Sequence, residues 1–166
     1  MLYFLVLLWL VNKYLKLTIL VSVCELTGLA AAPFTASSVS TWYTTLNKPW
    51  FNPPNWIFAP VWTILYFLMG LAAYLVFQEG WTKPHVRRGL IYFAVQLVLN
   101  FAWSLVFFGL KQPTWAFVEI LVLWTVILFT IITFYEISKT AAYLMLPYIL
   151  WVSFALLLNF SIALLN

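Results

Sequence analysis

Long apolar segments with almost no charged side chains constrain the fold of this chain more than any other feature. Of its 166 residues, 66% are apolar and only 7% are charged, whereas a soluble domain carries about 25% charged residues. So few polar side chains cannot cover a surface that faces water, and lipid is the solvent that fits. The sequence therefore predicts an all-α integral membrane protein that forms one domain over residues 1–166.

The lengths of the apolar segments predict a five-transmembrane-helix bundle with a long aromatic first loop. About 20 helical residues cross a hydrocarbon core, and the candidate helices cover about residues 14–35, 56–77, 88–110, 114–135 and 140–165. The first connection is about 20 residues long and carries four aromatic side chains, which favours a lid at the membrane surface over a plain aromatic belt. Residues 1–12 could extend the first helix or lie at the interface.

The distribution of basic residues predicts the orientation of the bundle. With five spans, the N-terminus shares a face with the second and fourth loops, which together carry Lys13, Lys16, Lys83, Arg87, Arg88 and Lys139. The opposite face carries Lys48 and Lys111. The positive-inside rule then predicts an N-terminus inside and a C-terminus outside. The apolar composition makes membrane lipid the expected partner. Because the basic residues form no stripe, we expect no binding of nucleic acid.

Polar and aromatic side chains recur at helical spacing inside three of the spans. Gln96, Asn100 and Trp103 share one face of the third span, since they are four and three residues apart. Aromatic stripes also include Trp62 and Tyr66 in the second span, and Trp151 and Phe154 in the fifth. The pattern fits interhelical hydrogen bonds, the walls of a cavity for a flat apolar ligand, or interfacial anchoring of the tryptophans.

Two acids lie within the spans, and no catalytic set accompanies them. Glu25 and Glu119 could serve proton-coupled transport of a small solute, but a hydrogen bond between helices is the reading we favour. His85 has no Ser, Cys or carboxylate partner at a motif spacing. The single Cys24 cannot form an intramolecular disulfide, and no metal-type spacing is present. We therefore expect no metal site, no certain catalytic residue and no required cofactor.

Two motifs resemble the TspO/MBR family of tryptophan-rich sensory proteins and translocator proteins. They are the K-P-x-x-x-P-P-x-W loop from Lys48 to Trp56 and the Q-x-x-x-N-x-x-W helix from Gln96 to Trp103, within a resemblance covering about Gly28 to Asn159. The resemblance implies a five-helix bundle, commonly a homodimer, that acts as a sensor or translocator. It also implies a pocket, open toward the first loop, for a porphyrin such as protoporphyrin IX or haem and for isoquinoline or benzodiazepine drugs.

The resemblance also implies roles for particular residues. The implied ligand-binding residues are Trp62, Gln96, Asn100, Trp103 and Trp151, to which the aromatic stripes add Tyr66 and Phe154. The implied lid residues are Trp42, Pro53, Pro54 and Trp56, and Lys48 is a candidate partner for porphyrin propionates. The alternative function is light- and oxygen-dependent porphyrin degradation, for which Trp62 and Trp151 are the candidate catalytic residues.

The C-terminal segment departs from the mitochondrial members of the family. Those members carry a cholesterol-recognition motif at the end of the fifth helix, with a tyrosine and a basic residue. This chain reads LLLNFSIALLN there and has neither. We therefore do not expect cholesterol binding through that motif, and a bacterial cell membrane is the predicted location.

Overall fold

The computed structural model describes the side chains of residues 12–166 and consists of helices joined by short connections. In chain order the helices are α1 (Leu2–Val39), α2 (Trp42–Thr45), α3 (Phe58–Gln78), α4 (Pro84–Ser104), α5 (Pro113–Ile137), α6 (Lys139–Leu144) and α7 (Leu146–Leu165). A 3-10 turn, Asn55–Ile57, leads into α3, and a π-helical turn, Leu105–Gly109, extends α4. The sequence leaves open whether residues 1–12 extend the first helix or lie at the interface. These residues lie almost entirely outside the part of the chain whose side chains are described.

Five helical stretches of the described chain are long and apolar enough to cross a membrane, which confirms the predicted fold class. They are α1 from Asn12, α3 with its 3-10 turn, α4 with its π turn, α5, and α6 together with α7. Large apolar side chains cover the outside of the bundle, and Leu29, Val98 and Leu150 are each about two-thirds exposed. Lipid is the surrounding that makes such a surface stable.

Prolines account for two differences between the predicted and observed helix boundaries. α4 begins at Pro84, four residues earlier than predicted, because proline suits the first turn, where its missing N–H needs no partner. The predicted helix 140–165 is interrupted at Met145, two residues before Pro147. A proline in mid-helix removes a hydrogen bond and clashes with the carbonyl four residues earlier, here that of Tyr143.

The end of α1 also lies beyond its predicted limit. The helix continues to Val39, four residues past the predicted boundary at 35, and the hydroxyl of Ser38 donates to the carbonyl of Phe108 at 2.7 Å. This contact fastens the end of α1 to the π turn. The first loop is consequently shorter than expected and covers residues 40–54, including α2.

Two glycines let α1 and α3 approach closely. A Cβ atom on Gly70 would lie 2.5 Å from the Cα of Val21, and one on Gly28 would overlap the ring of Tyr66. Gly28 thus packs against a helix of the same chain, whereas Ala32, the next small residue four positions along α1, is exposed. The homodimer implied by the family resemblance stays a prediction.

Contacts at the two ends of the bundle agree with the predicted distribution of the connections: the start of the first span lies with the second and fourth loops, and the first loop lies with the C-terminus. Lys13 and Lys16 line one pocket with Gly80 and Trp81 of the second connection. Arg88 of α4 lies 3.7 Å from Glu136 of α5. At the opposite end, Asn47 of the first loop exchanges hydrogen bonds with Asn166. The side of the membrane that each end faces stays a prediction.

Candidate functional site

A hydrogen-bonded network of four buried side chains occupies the centre of the bundle. The hydroxyl of Tyr66 donates to Asn100 Oδ1, and Asn100 Nδ2 donates to the hydroxyl of Tyr148 at 3.1 Å. The Tyr148 hydroxyl in turn donates to Gln96 Oε1 at 2.8 Å, and Gln96 Nε2 lies 3.9 Å from the sulfur of Met69. The two amides therefore join α3, α4 and α7 in this structure, as interhelical hydrogen bonds do in membrane bundles.

Tyr148 is the member of this network that the sequence analysis did not select. It is fully buried and bonds to both amides. It lies three residues before Trp151, so it shares a helix face with that residue. A polar group inside an apolar span, on the face of a selected tryptophan, is the signal that identifies it.

A second polar contact lies one level nearer the first loop. Trp103 Nε1 donates to Asn159 Oδ1 at 3.0 Å, and Asn159 Nδ2 donates to the carbonyl of Pro113 at 2.8 Å. The indole of Trp103 also stacks on Phe107, with ring centroids 5.1 Å apart. Phe107 belongs to the π turn, where the N–H of Leu110 bonds to the carbonyl of Leu105. Nothing in the apolar run LVFFG marks this turn in advance.

An apolar groove of about 440 Å³ lies along the seam between α3 and α7. It is lined by Val61, Ile64, Leu65, Pro147, Leu150, Trp151 and Phe154. Ile64 and Leu150 are 60% and 68% exposed, so the groove opens sideways toward lipid. The indole nitrogen of Trp151 is buried and has no hydrogen-bond partner among the described residues.

The two candidate tryptophans on this seam contact different rings. The ring of Trp62 lies 5.5 Å from that of Tyr66 and 6.2 Å, edge-on, from that of Tyr148. Trp151 packs against Phe58 at 6.0 Å and Phe154 at 5.6 Å. Trp62 thus lies on the central network, and Trp151 lies in the groove.

The first loop is held to the bundle by aromatic packing. Trp42 meets Phe107 edge-on at 5.7 Å, and Phe51 meets Phe154, at the rim of the groove, at 6.3 Å. Trp56, in contrast, is 72% exposed, with Pro54 also exposed and Pro53 half-buried. The predicted lid therefore divides into packed residues and surface residues.

Hydrogen bonds within the first loop centre on Tyr43. Its hydroxyl donates to Asn52 Oδ1 at 2.6 Å, and Lys48 Nζ donates to its backbone carbonyl at 2.6 Å. Lys48 Nζ also lies 4.7 Å from the centre of the Tyr43 ring, a cation–π distance. Burial removes the phenol from water and raises the pKa of Tyr43 to about 12. Lys48 is thus engaged within the loop in this structure.

The acids of the spans differ in their surroundings. Both carboxyl oxygens of Glu119 are buried without a hydrogen-bond partner in the described part of the chain, so the interhelical bond favoured from the sequence is not formed here. Glu25 is half-buried on α1. Among the described residues no cluster of three His, Cys, Asp or Glu could hold a metal ion.

Comparisons with known proteins agree with the two motifs. The sequence model of the TspO/MBR family matches residues 20–165. The chain is 46% identical over 155 residues to the tryptophan-rich protein TspO of Chlorobaculum tepidum, covering 93% of this chain and 98% of that one. It is 42% identical over 147 residues to a tryptophan-rich sensory protein of Cereibacter sphaeroides, covering 85% and 90%, and 39% identical over 138 residues to the translocator protein of Bos taurus, covering 82% and 81%. The chain therefore belongs to the TspO/MBR family.

Proposed function

We propose that this membrane protein is a sensor or translocator that binds a flat tetrapyrrole, such as protoporphyrin IX or haem, in the groove along Trp151. The names of its relatives, tryptophan-rich sensory protein and translocator protein, support the broader role in a membrane. The observation that carries the ligand proposal is the indole N–H of Trp151, which lines the apolar groove and is buried without a hydrogen-bond partner among the described residues.

The chemistry of the groove suits a flat apolar molecule with one hydrogen-bond acceptor. Its volume of about 440 Å³ lies in the range of roughly 300–1,000 Å³ typical of ligand sites. The faces of Trp151 and Phe154 offer surfaces for stacking. A buried donor without a partner costs about 1–3 kcal/mol, and a ligand carboxylate or carbonyl would recover that cost. Drugs of the isoquinoline and benzodiazepine type share this combination of flat ring and acceptor.

Titration with protoporphyrin IX in the dark, followed by tryptophan fluorescence, tests the proposal. Added protoporphyrin should quench the tryptophan fluorescence of the unmodified protein, and the quenching should reach saturation. Trp151→Phe keeps an aromatic face but removes the N–H. The protoporphyrin concentration at half-maximal quenching should rise about ten-fold in this variant, as expected for losing a hydrogen bond worth about 1.4 kcal/mol. Trp151→Phe combined with Trp62→Phe should weaken binding further.

The matched control is Trp115→Phe, which removes an indole that is 67% exposed on α5. It should lower the total fluorescence and leave the midpoint unchanged. If the double variant saturates at the same concentration as the unmodified protein, the groove is not the site. A parallel series under light tests the enzymatic alternative, which requires a defined product that forms only when Trp62 and Trp151 are both present.

One observation favours a second candidate function, proton-coupled transport of a small solute. Glu119 presents two buried carboxyl oxygens without a partner among the described residues, and such groups within spans often serve proton relays. In proteoliposomes, uptake driven by a pH gradient should be lost in Glu119→Gln and kept in Glu136→Gln, whose carboxylate lies at the surface beside Arg88. Uptake that is the same in both variants would remove this candidate.

A further inference from the structure

A second pocket, of about 320 Å³, lies at the end of the α1–α3 seam that is remote from the first loop. Its walls include Lys13 and Lys16 of α1, Tyr74, Phe77 and Gln78 of α3, and Trp81 of the second connection. The contact of Gly70 with Val21 brings the two helices together farther along the seam. The pocket lies beyond this contact, where longer side chains line the space between the helices.

The charged groups in the pocket walls are positive. Lys13 and Lys16 both line it, and none of the described residues that line it is Asp or Glu. Lys16 Nζ lies 5.9 Å from the centre of the Phe77 ring, within the range of a cation–π contact that holds an ammonium group in place. The nearest acid along the chain, Glu79, is exposed at the end of α3. The pocket is therefore suited to an anion.

A buried polar group supplies an independent indication of a ligand. Tyr74 is 4% exposed and lines the pocket, yet its hydroxyl has no hydrogen-bond partner in the described part of the chain. A buried hydroxyl without a partner destabilises the fold, because its lost hydrogen bonds to water are not replaced. An acceptor oxygen in the pocket would replace them, and the side-chain amide of Gln78 offers a further donor nearby.

The surroundings indicate a lipid rather than a small soluble anion. Trp81 is half-exposed, as is typical of indoles at a membrane interface. Ile19 and Val23 follow Lys16 at spacings of three and seven residues on the same side of α1, and both are about half-exposed. An apolar stripe for acyl chains thus continues directly from a basic, hydrogen-bonding pocket for a headgroup.

We propose that this pocket binds the phosphate headgroup of an anionic phospholipid, such as phosphatidylglycerol, from the leaflet around the N-terminal end of α1. Lys13 and Lys16 neutralise the phosphate, and Tyr74 and Gln78 donate hydrogen bonds to its oxygens. Basic pockets between transmembrane helices recognise anionic headgroups in this way. The proposal is independent of the tetrapyrrole site, because no described residue lines both pockets.

Native mass spectrometry of the full chain, released from micelles with equal amounts of phosphatidylglycerol and phosphatidylcholine, tests the proposal. The unmodified protein should retain phosphatidylglycerol selectively. Lys13→Gln combined with Lys16→Gln should lower its occupancy at least ten-fold, because each basic residue near the headgroups contributes substantially to the attraction. Tyr74→Phe should lower it two- to five-fold without changing the net charge.

The matched control is Lys83→Gln combined with Lys139→Gln, which removes the same charge from residues that do not line the pocket. It should retain phosphatidylglycerol as the unmodified protein does. Equal losses in the two double variants would show that only the overall charge matters, and would overturn the proposal. Displacement of the lipid by millimolar glycerol phosphate would also overturn it, since that result assigns the site to a soluble phosphate.

Discussion

The hydroxyl of Tyr148 is the junction of the central network, since it donates to Gln96 and accepts from Asn100. Tyr148→Phe should therefore lower the free energy of unfolding by about 1–3 kcal/mol, because both amides lose a buried partner. Thermal unfolding in detergent measures the change. Tyr143→Phe is the control, as that tyrosine is 58% exposed, and an equal loss in both variants would contradict the role given to the network.

The carboxyl group of Glu119 should reduce the stability of the fold. Its two oxygens are buried without a partner in the described chain, and an unsatisfied polar group of this kind costs about 1–3 kcal/mol. Glu119→Leu should raise the thermal midpoint in detergent. Glu136→Leu, at the surface, should not. A lower midpoint for Glu119→Leu would mean that the carboxyl group has a partner and stabilises the protein.

At the scale of helices, the contact between α1 and α3 depends on Gly70. A Cβ atom there would lie 2.5 Å from the backbone of Val21, so Gly70→Ala must push the two helices apart. We expect a loss of about 1–3 kcal/mol in the free energy of unfolding. Gly109→Ala should cost less, because its Cβ would meet only the side chains of Leu105 and Phe34. Equal losses would show that no close helix contact is involved at Gly70.

The first loop should have its own dependence on pH. The pKa of Tyr43 is raised from 10.0 to about 12 by burial, so the folded loop keeps a proton that the unfolded chain loses. The stability from this neutral phenol is intact below pH 10 and falls as the pH rises toward about 12. Absorbance at the tyrosinate band, taken as the difference between the unmodified protein and Tyr43→Phe, should show a late titration. A midpoint near the ordinary value would contradict the burial.

For the whole molecule, the basic residues predict that the end with Lys83 faces the inside. In a Cys24→Ala background, Lys111→Cys should react with a membrane-impermeant maleimide in intact cells, and Lys83→Cys should react only after lysis. Cys24 is fully buried, so its removal should not disturb the surface. Labelling of Lys83→Cys in intact cells would show that the protein has the opposite orientation.

The sequence by itself determined that the chain is a five-helix membrane bundle of the TspO/MBR family. That conclusion depends on segment length, the scarcity of charge and two dense motifs, all of which are local properties of the chain. It also placed Gln96 and Asn100 on one face of the third span and Tyr66 in the aromatic stripe of the second, because helical spacing can be read directly from residue numbers.

Only the tertiary structure decided which of these side chains have partners. The amides of Gln96 and Asn100 bond to Tyr148 and Tyr66, whereas the indole N–H of Trp151 and the carboxyl of Glu119 have no partner in the described part of the chain. Satisfaction of a polar group depends on how neighbouring helices rotate and approach one another, here through Gly28 and Gly70. Spacing along one helix carries no information on that rotation. Only the packed helices therefore show the apolar groove at Trp151 and the basic pocket at Lys13 and Lys16.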